Sequence, residues 1–578
     1  MGPYPLGSLA AGIFLLGATL AAQAPQGASL PGPPTPRVQI PPRDGAASLL
    51  TGTARIRGRV VAADTGNPLR RAQVRVSAPD LRINRVTTTD GDGRYEAAEL
   101  PQGRYSIFVS RNGYVSLQFG QRRPFEPGRP LDLGDSQLLD RIDFALPRGG
   151  VIAGRVTDEL GEPMVGVRMQ AMRYQYLPSG QRQLVPAGGS NPFNLVSNDL
   201  GEFRVYGLMP GSYILSATPA DAAGMMLGSA GPPSSSAEND GHGITFYPGT
   251  ISSEEAQPIT VGLAEETSVS FALVPGRMTR ISGVIRNSQG QPVVGVMLSL
   301  RTQTGNGMMS RALPGVGADG SFTIGNVPPG DHWLEVFPRP GAEESASVAI
   351  TAAGGDITNL VISTSPGVTI SGQVIFDGAS TAQKPDRIIA TSPEPGAPPP
   401  SRSMQDSGII DPTGRFEIKG LSGRALFRAV QLAAGPSTIW IIRSVTLNGI
   451  DVTDTPVDVG RTGSASDLEI VLTDKQTTFS GSVRNARGEQ VNDYAVAIFP
   501  EHLNEGALPT RFTRVVRPDQ QGRFETRGLP PGDYVAAAVE SVEQRGEWDP
   551  AFRKQVEAMA KRFRLTEGNT VSLDLQLQ

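Results

Sequence analysis

Asp519-Gln520-Gln521-Gly522-Arg523-Phe524-Glu525-Thr526-Arg527-Gly528-Leu529-Pro530-Pro531-Gly532-Asp533-Tyr534 encodes a turn, a short strand, a tight corner and the start of another strand. Asp and Gly supply a turn with positive φ, Phe524 and Thr526 point to one face of an extended run, and Pro-Pro-Gly forces a corner before Tyr534 enters another strand. The unit occurs five times. It returns as Asp92-Gly93-Arg94-Tyr95 with Leu100-Pro101-Gln102-Gly103-Arg104-Tyr105, and as Asp199-Leu200-Gly201-Glu202-Phe203 with Leu208-Met209-Pro210-Gly211-Ser212-Tyr213. The third copy is Asp319-Gly320-Ser321-Phe322 with Val327-Pro328-Pro329-Gly330-Asp331-His332-Trp333. The fourth, Asp411-Pro412-Thr413-Gly414-Arg415-Phe416 with Leu421-Ser422-Gly423-Arg424, lacks the corner proline and aromatic.

Upstream of each corner lies an opening strand built on one glycine. The five are Ile56-Arg57-Gly58-Arg59-Val60, Ile152-Ala153-Gly154-Arg155-Val156, Ile281-Ser282-Gly283-Val284-Ile285, Ile370-Ser371-Gly372-Gln373-Val374 and Phe479-Ser480-Gly481-Ser482-Val483. The glycines are 96, 129, 89 and 109 residues apart (154 − 58, 283 − 154, 372 − 283, 481 − 372). Solenoid repeats run to about 20 to 50 residues, so these intervals predict a string of separate domains. Period-two alternation puts Ile, Gly and Val of each opening on one face, where the glycine leaves room for a large side chain, with the corner aromatic as the candidate.

A turn and second strand follow each opening, fullest in Gly161-Glu162-Pro163-Met164-Val165-Gly166 and Gly290-Gln291-Pro292-Val293-Val294-Gly295, with a third copy at Gly66-Asn67-Pro68-Leu69. The fourth and fifth copies read as degraded. Each segment closes on an alternating strand such as Ile142-Asp143-Phe144-Ala145-Leu146. Short strands separated by turn signals predict an all-β chain, a tandem array of five antiparallel β-sandwich domains. The expected boundaries are 54–147, 148–275 with loop insertions, 276–366, 367–474 (divergent) and 475–578. The insertions span 179–192 and 219–243, and the Gly-Pro-Pro-Ser-Ser-Ser run at 231–236 reads as disordered. The last segment holds one helix, with Asp549 as N-cap, Pro550 at its first position, and Phe552, Val556, Met559 and Phe563 on one inward face through Arg564.

Composition agrees: 69 Gly and 49 Pro among 578 residues imply many turns, and only 19% of residues are charged. The net charge of −4, with no basic run, gives no electrostatic reason to expect nucleic acid as a partner. Residues 1–24 read as a secretory signal peptide, an apolar stretch ending in Ala22-Gln23-Ala24, although no Lys or Arg precedes Arg37. The expected location is exported: periplasmic, cell-surface or extracellular, with a membrane contact only through an uncleaved N-terminal segment. Residues 25–53 form a Pro/Gly-rich linker. The chain has no cysteine, so disulfides, thiolate metal sites and a cysteine nucleophile are excluded.

The opening strand, the G-x-P-x-x-G-V turn and the D-x-x-G-x-F…L-P-P-G-x-Y corner, in that order, resemble the carboxypeptidase regulatory-like domain. The resemblance spans nearly all of 54–578 and is weakest in segment four. It implies a sandwich of the Ig-like or transthyretin-like, carbohydrate-binding-like kind. It implies little about function, since such modules accompany peptidases, polysaccharide enzymes, surface proteins and outer-membrane receptors. The corner alone also resembles the tyrosine corner of fibronectin type III domains, and the G-x-P turn decides between the two.

Chemistry-bearing motifs are few. His332-Trp333-Leu334-Glu335 and His502-Leu503-Asn504-Glu505 fit H-x-x-E, but His and Glu three apart on a strand point to opposite faces, and zinc needs three convergent ligands. Asp90-Gly91-Asp92-Gly93 is expected to be a turn, not a calcium loop, which would need further oxygens at fixed offsets. No catalytic, metal or cofactor site is expected. Sugars stack on exposed aromatic faces, which makes Tyr174, Tyr176, Tyr247 and Trp548 the carbohydrate candidates. Alternation assigns Phe203, Tyr213, Phe322, Trp333, Phe524 and Tyr534 to the core. The expected function is a non-catalytic binding or scaffold protein of the cell envelope whose partner is an envelope protein or polysaccharide. The alternatives are a carbohydrate-binding protein and an accessory subunit of a peptidase or transport system.

Overall fold

The computed structural model describes residues 51–187, 195–219, 240–304, 307–312, 315–337, 344–393, 397–401, 407–431 and 439–578. The stretch 1–24 expected to be a signal peptide, nearly all of the expected linker and the 231–236 run lie outside them. Strand is the dominant element, in two-sheet units each wrapped around its own buried cluster. The cores run from Ala54 to Leu146, Ile152 to Leu273, Ile281 to Ile362, Ile370 to Leu472 and Phe479 to Leu575.

One sheet of every unit has the opening strand in its interior, flanked on both sides. In segment two, Gly150–Thr157 pairs antiparallel with Glu202–Leu208 on one side and parallel with Glu266–Ala272 on the other. Segments three and four repeat this with Thr279–Arg286 and Val368–Asp377 as the centres. In segments one and five the closing strand is broken into two short pieces, again parallel to the opening strand. A parallel pair requires a crossover connection, and here the crossover is the second sheet itself. The all-β expectation therefore holds, with one parallel ladder added to each antiparallel sandwich.

The opening glycine serves a different neighbour from the one expected. In register it faces the aromatic of the turn-strand, not the corner tyrosine: Gly58 opposite Tyr95, Gly154 opposite Phe203, Gly283 opposite Phe322, Gly372 opposite Phe416 and Gly481 opposite Phe524. A Cβ added there would meet a main-chain carbonyl oxygen, of Ile142, Val269, Leu360, Leu468 or Leu573, at 1.6 to 2.1 Å. Only glycine lets the closing segment approach this closely.

The turns are fixed by side chains. Asp519 Oδ1 accepts from the backbone N–H groups of Gln521 (2.9 Å) and Arg523 (2.8 Å), and Asp411, Asn198 and Asp90 do the same in their segments. The Asp90 carboxylate is thus a turn acceptor. The earlier turn of segment five is intact, contrary to expectation. Asn485 Oδ1 accepts from Arg487 and Glu489, and Gln490 stands where the other copies have proline.

At the corners, Tyr105, Tyr213 and Tyr534 donate to carbonyls four residues back, of Pro101 (2.8 Å), Met209 (2.5 Å) and Pro530 (2.6 Å). In segment three the inward residue is His332, whose Nε2 lies 2.8 Å from the Pro328 carbonyl. Trp333, assigned to the core from alternation, is one position too late: it is half-buried on the opposite face, across from Arg301 and Ala349. Segment four places the small buried Ala425 at this position.

The helix Pro550–Met559 is capped by Asp549, whose side chain accepts from the Ala551 N–H. It ends before Arg564. Lys561–Leu565 is instead a strand paired with Gly532–Val539, so Phe563 enters the core as a strand residue stacked on Phe479 and Tyr534. Alternation in Lys-Arg-Phe-Arg-Leu, arginines out and Phe and Leu in, overrides the helical spacing that Phe563 happens to satisfy. Phe552, Val556 and Met559 cover the outer face of the Ala495–Pro500 and Gly532–Val539 strands, not an end of the sandwich. A further helical turn, Val459–Thr462, lies in segment four. Among the described residues no helix is long and apolar enough to cross a membrane.

Candidate functional site

The segments do not form an open string. The loop of segment one that follows Leu117–Gln118, Phe119-Gly120-Gln121-Arg122-Arg123-Pro124-Phe125-Glu126-Pro127-Gly128-Arg129-Pro130, reaches both segment two and segment five. Phe125, held at φ 58°, packs edge-on against the Tyr213 ring at 6.3 Å, and the Arg173 guanidinium lies 3.5 Å from its ring centroid. Its carbonyl accepts from the Gln544 N–H of segment five (2.8 Å).

One residue on, Glu126 is buried and bonds Arg517 of segment five, with both side chains almost fully removed from solvent. Glu126 Oε2 also accepts from the Arg122 and Arg123 N–H groups (3.1 and 3.2 Å), and Arg517 reaches Asp493 at 2.8 Å. Around this pair, Arg123 bonds Glu540 at 2.9 Å, Arg122 bonds Asp493 at 3.2 Å, and Arg173 of segment two pairs with Glu543. Arg129 donates to the Asp519 carbonyl, at the turn that opens the repeated unit (2.5 Å). A buried ion pair must offset its desolvation with further hydrogen bonds: two backbone N–H groups meet Glu126 and a second carboxylate meets Arg517, while the buried Arg517 Nε makes no hydrogen bond among the described residues.

A second charged seam joins segments four and five. Asp454, 8% exposed, lies 3.0 Å from Arg511 and 3.6 Å from Arg428, and its carbonyl accepts from the Leu508 N–H (2.8 Å). Burial pushes the Asp454 carboxyl above the usual carboxylate range, against the pull of the two guanidinium groups. Segment one also meets segment four, where Arg82 donates to the Gln431 carbonyl at 2.6 Å.

The histidines take separate roles. His332 sits between the Pro328 carbonyl and Thr302 Oγ1 (3.0 Å), and burial lowers its pKa. Glu335, on the opposite face, pairs with Arg301 at 2.9 Å, and its carboxyl is pushed up by burial. His242 pairs with Glu159 at 2.9 Å, and His502 is exposed. Among the described residues no three His, Asp or Glu side chains converge as metal ligands.

The carbohydrate candidates lie in segments two and five. Tyr174 and Tyr176 share one face of the Arg168–Tyr176 strand, but Tyr174 donates to the Ser253 carbonyl (2.9 Å) and carries Arg182 over its ring. Tyr247 packs edge-on against Phe271 at 5.8 Å, beside the segment-two core. Trp548 lies in the single turn Gly546–Trp548 of segment five, which abuts the Arg168–Tyr176 strand. An open groove of about 590 Å³ runs over segment one. In its lining Arg57 pairs with Glu96 at 3.0 Å, and Asp143 accepts from the Arg59 backbone N–H at 2.7 Å.

Sequence reasoning missed the Phe125–Glu126 loop and its partners Arg517 and Asp493. The available signal was an aromatic and an acid set among three prolines at 124, 127 and 130, too constrained for an ordinary surface loop.

No curated protein sequence matches the chain. Among solved structures, the chain is similar to the Bacillus anthracis TIE protein (9% identity, covering 82% of this chain and 71% of that one, TM-score 0.14). It is also similar to a streptococcal ancillary pilin (11% identity, 54% and 99%, TM-score 0.21) and to BcpA, the major pilin subunit of Bacillus cereus (10% identity, 54% and 99%, TM-score 0.13). With the opening glycine, the Asx turns and the tyrosine corner all in place, residues 55–138 match the family model of the carboxypeptidase regulatory-like domain.

Proposed function

We propose that the chain is an exported, non-catalytic scaffold or binding protein of the cell envelope, built from five modules locked into one body. The observation that carries this reading is where the buried charge goes. Arg517 joins segment five to segment one through Glu126, and Asp454 joins segment four to segment five through Arg511, with Asp493 and Arg428 as further partners inside their own modules. Buried titratable groups in an enzyme would instead converge on a cleft with shifted pKa values. Export rests on the apolar N-terminal stretch that ends in Ala22-Gln23-Ala24. Fractionation of cells carrying a C-terminally tagged chain should place it outside the cytoplasm, and the purified chain should leave peptide substrates intact with or without chelator. Cytoplasmic retention would remove the envelope assignment, and chelator-sensitive peptide hydrolysis would remove the non-catalytic one.

A further inference from the structure

The five modules act as controls for one another, and segment two breaks their pattern at one end. In each Asx turn the third residue points to solvent and packs on nothing the fold needs. In the other Asx turns these positions hold Asp92, Gln289, Thr413, Arg487 and Gln521, and in two matching turns without an Asx acceptor at the first position they hold Thr65 and Asp319, all polar. In segment two both are leucine. Leu160 is 81% exposed and Leu200 54%.

The two turns lie side by side. Asp158 Oδ1 holds the first through the Leu160 and Glu162 N–H groups, and Asn198 Oδ1 holds the second through Leu200 and Glu202. The Val156 N–H donates to the Gly201 carbonyl (2.9 Å) and the Met164 N–H to the Val156 carbonyl (3.1 Å), which draws the G-x-P turn against both. That turn adds Val165, 57% exposed, and the Gly166 N–H to Ser197 carbonyl bond (3.0 Å) brings in Val196, 51% exposed. Val294 occupies the Val165 position in segment three, but beside Gln289 and Asp319.

Four large aliphatic side chains therefore form one exposed patch where the sister modules need none, and a patch rimmed by polar residues marks an interaction site. The rim is acidic: Glu159, Glu162, Asp199 and Glu202 are exposed around it. Its basic neighbours are Arg155, which lies across the ladder from Glu202, and the His242 imidazole, 2.9 Å from Glu159. Segment two contains no lysine. This charge opposes an anionic lipid surface and a second copy of the same patch, and it suits a partner of opposite sign. We infer that the Leu160–Leu200 tip of segment two docks a partner protein through an aliphatic stretch flanked by lysines or arginines. The inference deepens the scaffold reading by naming where its partner sits. Peptidase activity would break that reading and leave the tip untouched.

The test uses the full chain, wild type, Leu160→Thr/Leu200→Gln and Glu162→Gln/Asp199→Asn, on envelope extract with zero-length carbodiimide coupling of carboxylates to lysine amines. The expected result is a retained protein that salt releases before coupling and that carbodiimide then joins through Glu162 or Asp199 to a lysine beside aliphatic residues. Its retention should drop about tenfold or more with either double variant. Unchanged retention on Leu160→Thr/Leu200→Gln overturns the proposal. So does wild-type binding to phosphatidylethanolamine–phosphatidylglycerol vesicles that this variant loses, or a dimer that it dissociates. The variant should keep the wild-type melting temperature, since a loss would mean that the leucines pack inward.

Discussion

The corners of segments five and three make one contact with two chemistries. Tyr534 sends a phenol O–H to the Pro530 carbonyl, and His332 places an imidazole nitrogen against the Pro328 carbonyl, each four residues back. The backbone geometry selects a flat, buried side chain with a donor at that reach, not a phenol as such. Segment four shows the limit, since Ala425 offers no donor there and the chain still turns. The corner is therefore a device of packing first and hydrogen bonding second.

That ordering can be broken by mutation. Tyr534→Ala removes a ring stacked with Phe563 and should cost segment five about 3 to 5 kcal/mol in denaturant unfolding. Tyr534→Phe, which keeps the ring, should cost only about 1 kcal/mol. Equal losses in the two variants would reverse the ordering. Glu126→Ala leaves Arg517 buried with Asp493 alone and should cost about 3 kcal/mol, the low end for breaking a buried pair. Limited proteolysis should then cut between segments that the wild type protects. Gly372→Ala drives a Cβ into the Leu468 carbonyl and should cost about 1 to 3 kcal/mol, read as a lower melting temperature.

The smallest effect separates the two corners by pH. Burial holds the folded pKa of His332 below its ordinary 6.5. As pH falls through that value the unfolded chain takes up a proton that the folded segment refuses, so stability is complete above it and declines below it. Burial raises the phenol pKa at Tyr213 and Tyr534, and at Tyr105 to about 12, so those corners stay neutral throughout. Glu335, pushed up by burial, pulls the opposite way. Comparing wild type with His332→Tyr from about pH 7 to about pH 5 cancels Glu335, and the wild type should lose more stability. Parallel curves would mean that the imidazole is not the sensor.

What the sequence revealed and what it hid divide along the same line. The turns, opening glycines and corners were legible because each imposes a local conformation that few residues satisfy, and each recurs. The errors inside modules came from positions that satisfy two patterns at once: Phe563 fits a helix face and a strand face, and Trp333 sits next to the true corner residue His332. The carbonyl that presses on each opening glycine was hidden because a backbone atom leaves no residue signature. The seam was illegible for another reason. Glu126 and Arg517 stand 391 residues apart, and nothing about an acid in one loop identifies which of many arginines neutralises it. Repetition exposes the module, whereas the contacts that join modules occur once each.

Segments one and five are held together through Glu126 and Arg517. The absence of native cysteine allows clean labelling, with spin labels at Leu138→Cys in segment one and Arg487→Cys in segment five, both exposed positions. Pulsed electron–electron distance measurement should give a single narrow distribution in the otherwise wild-type chain, and a broad one when Glu126→Ala is added. A broad distribution before that substitution, as a flexible string of modules would give, would mean that Glu126 and Arg517 do not hold the two segments together.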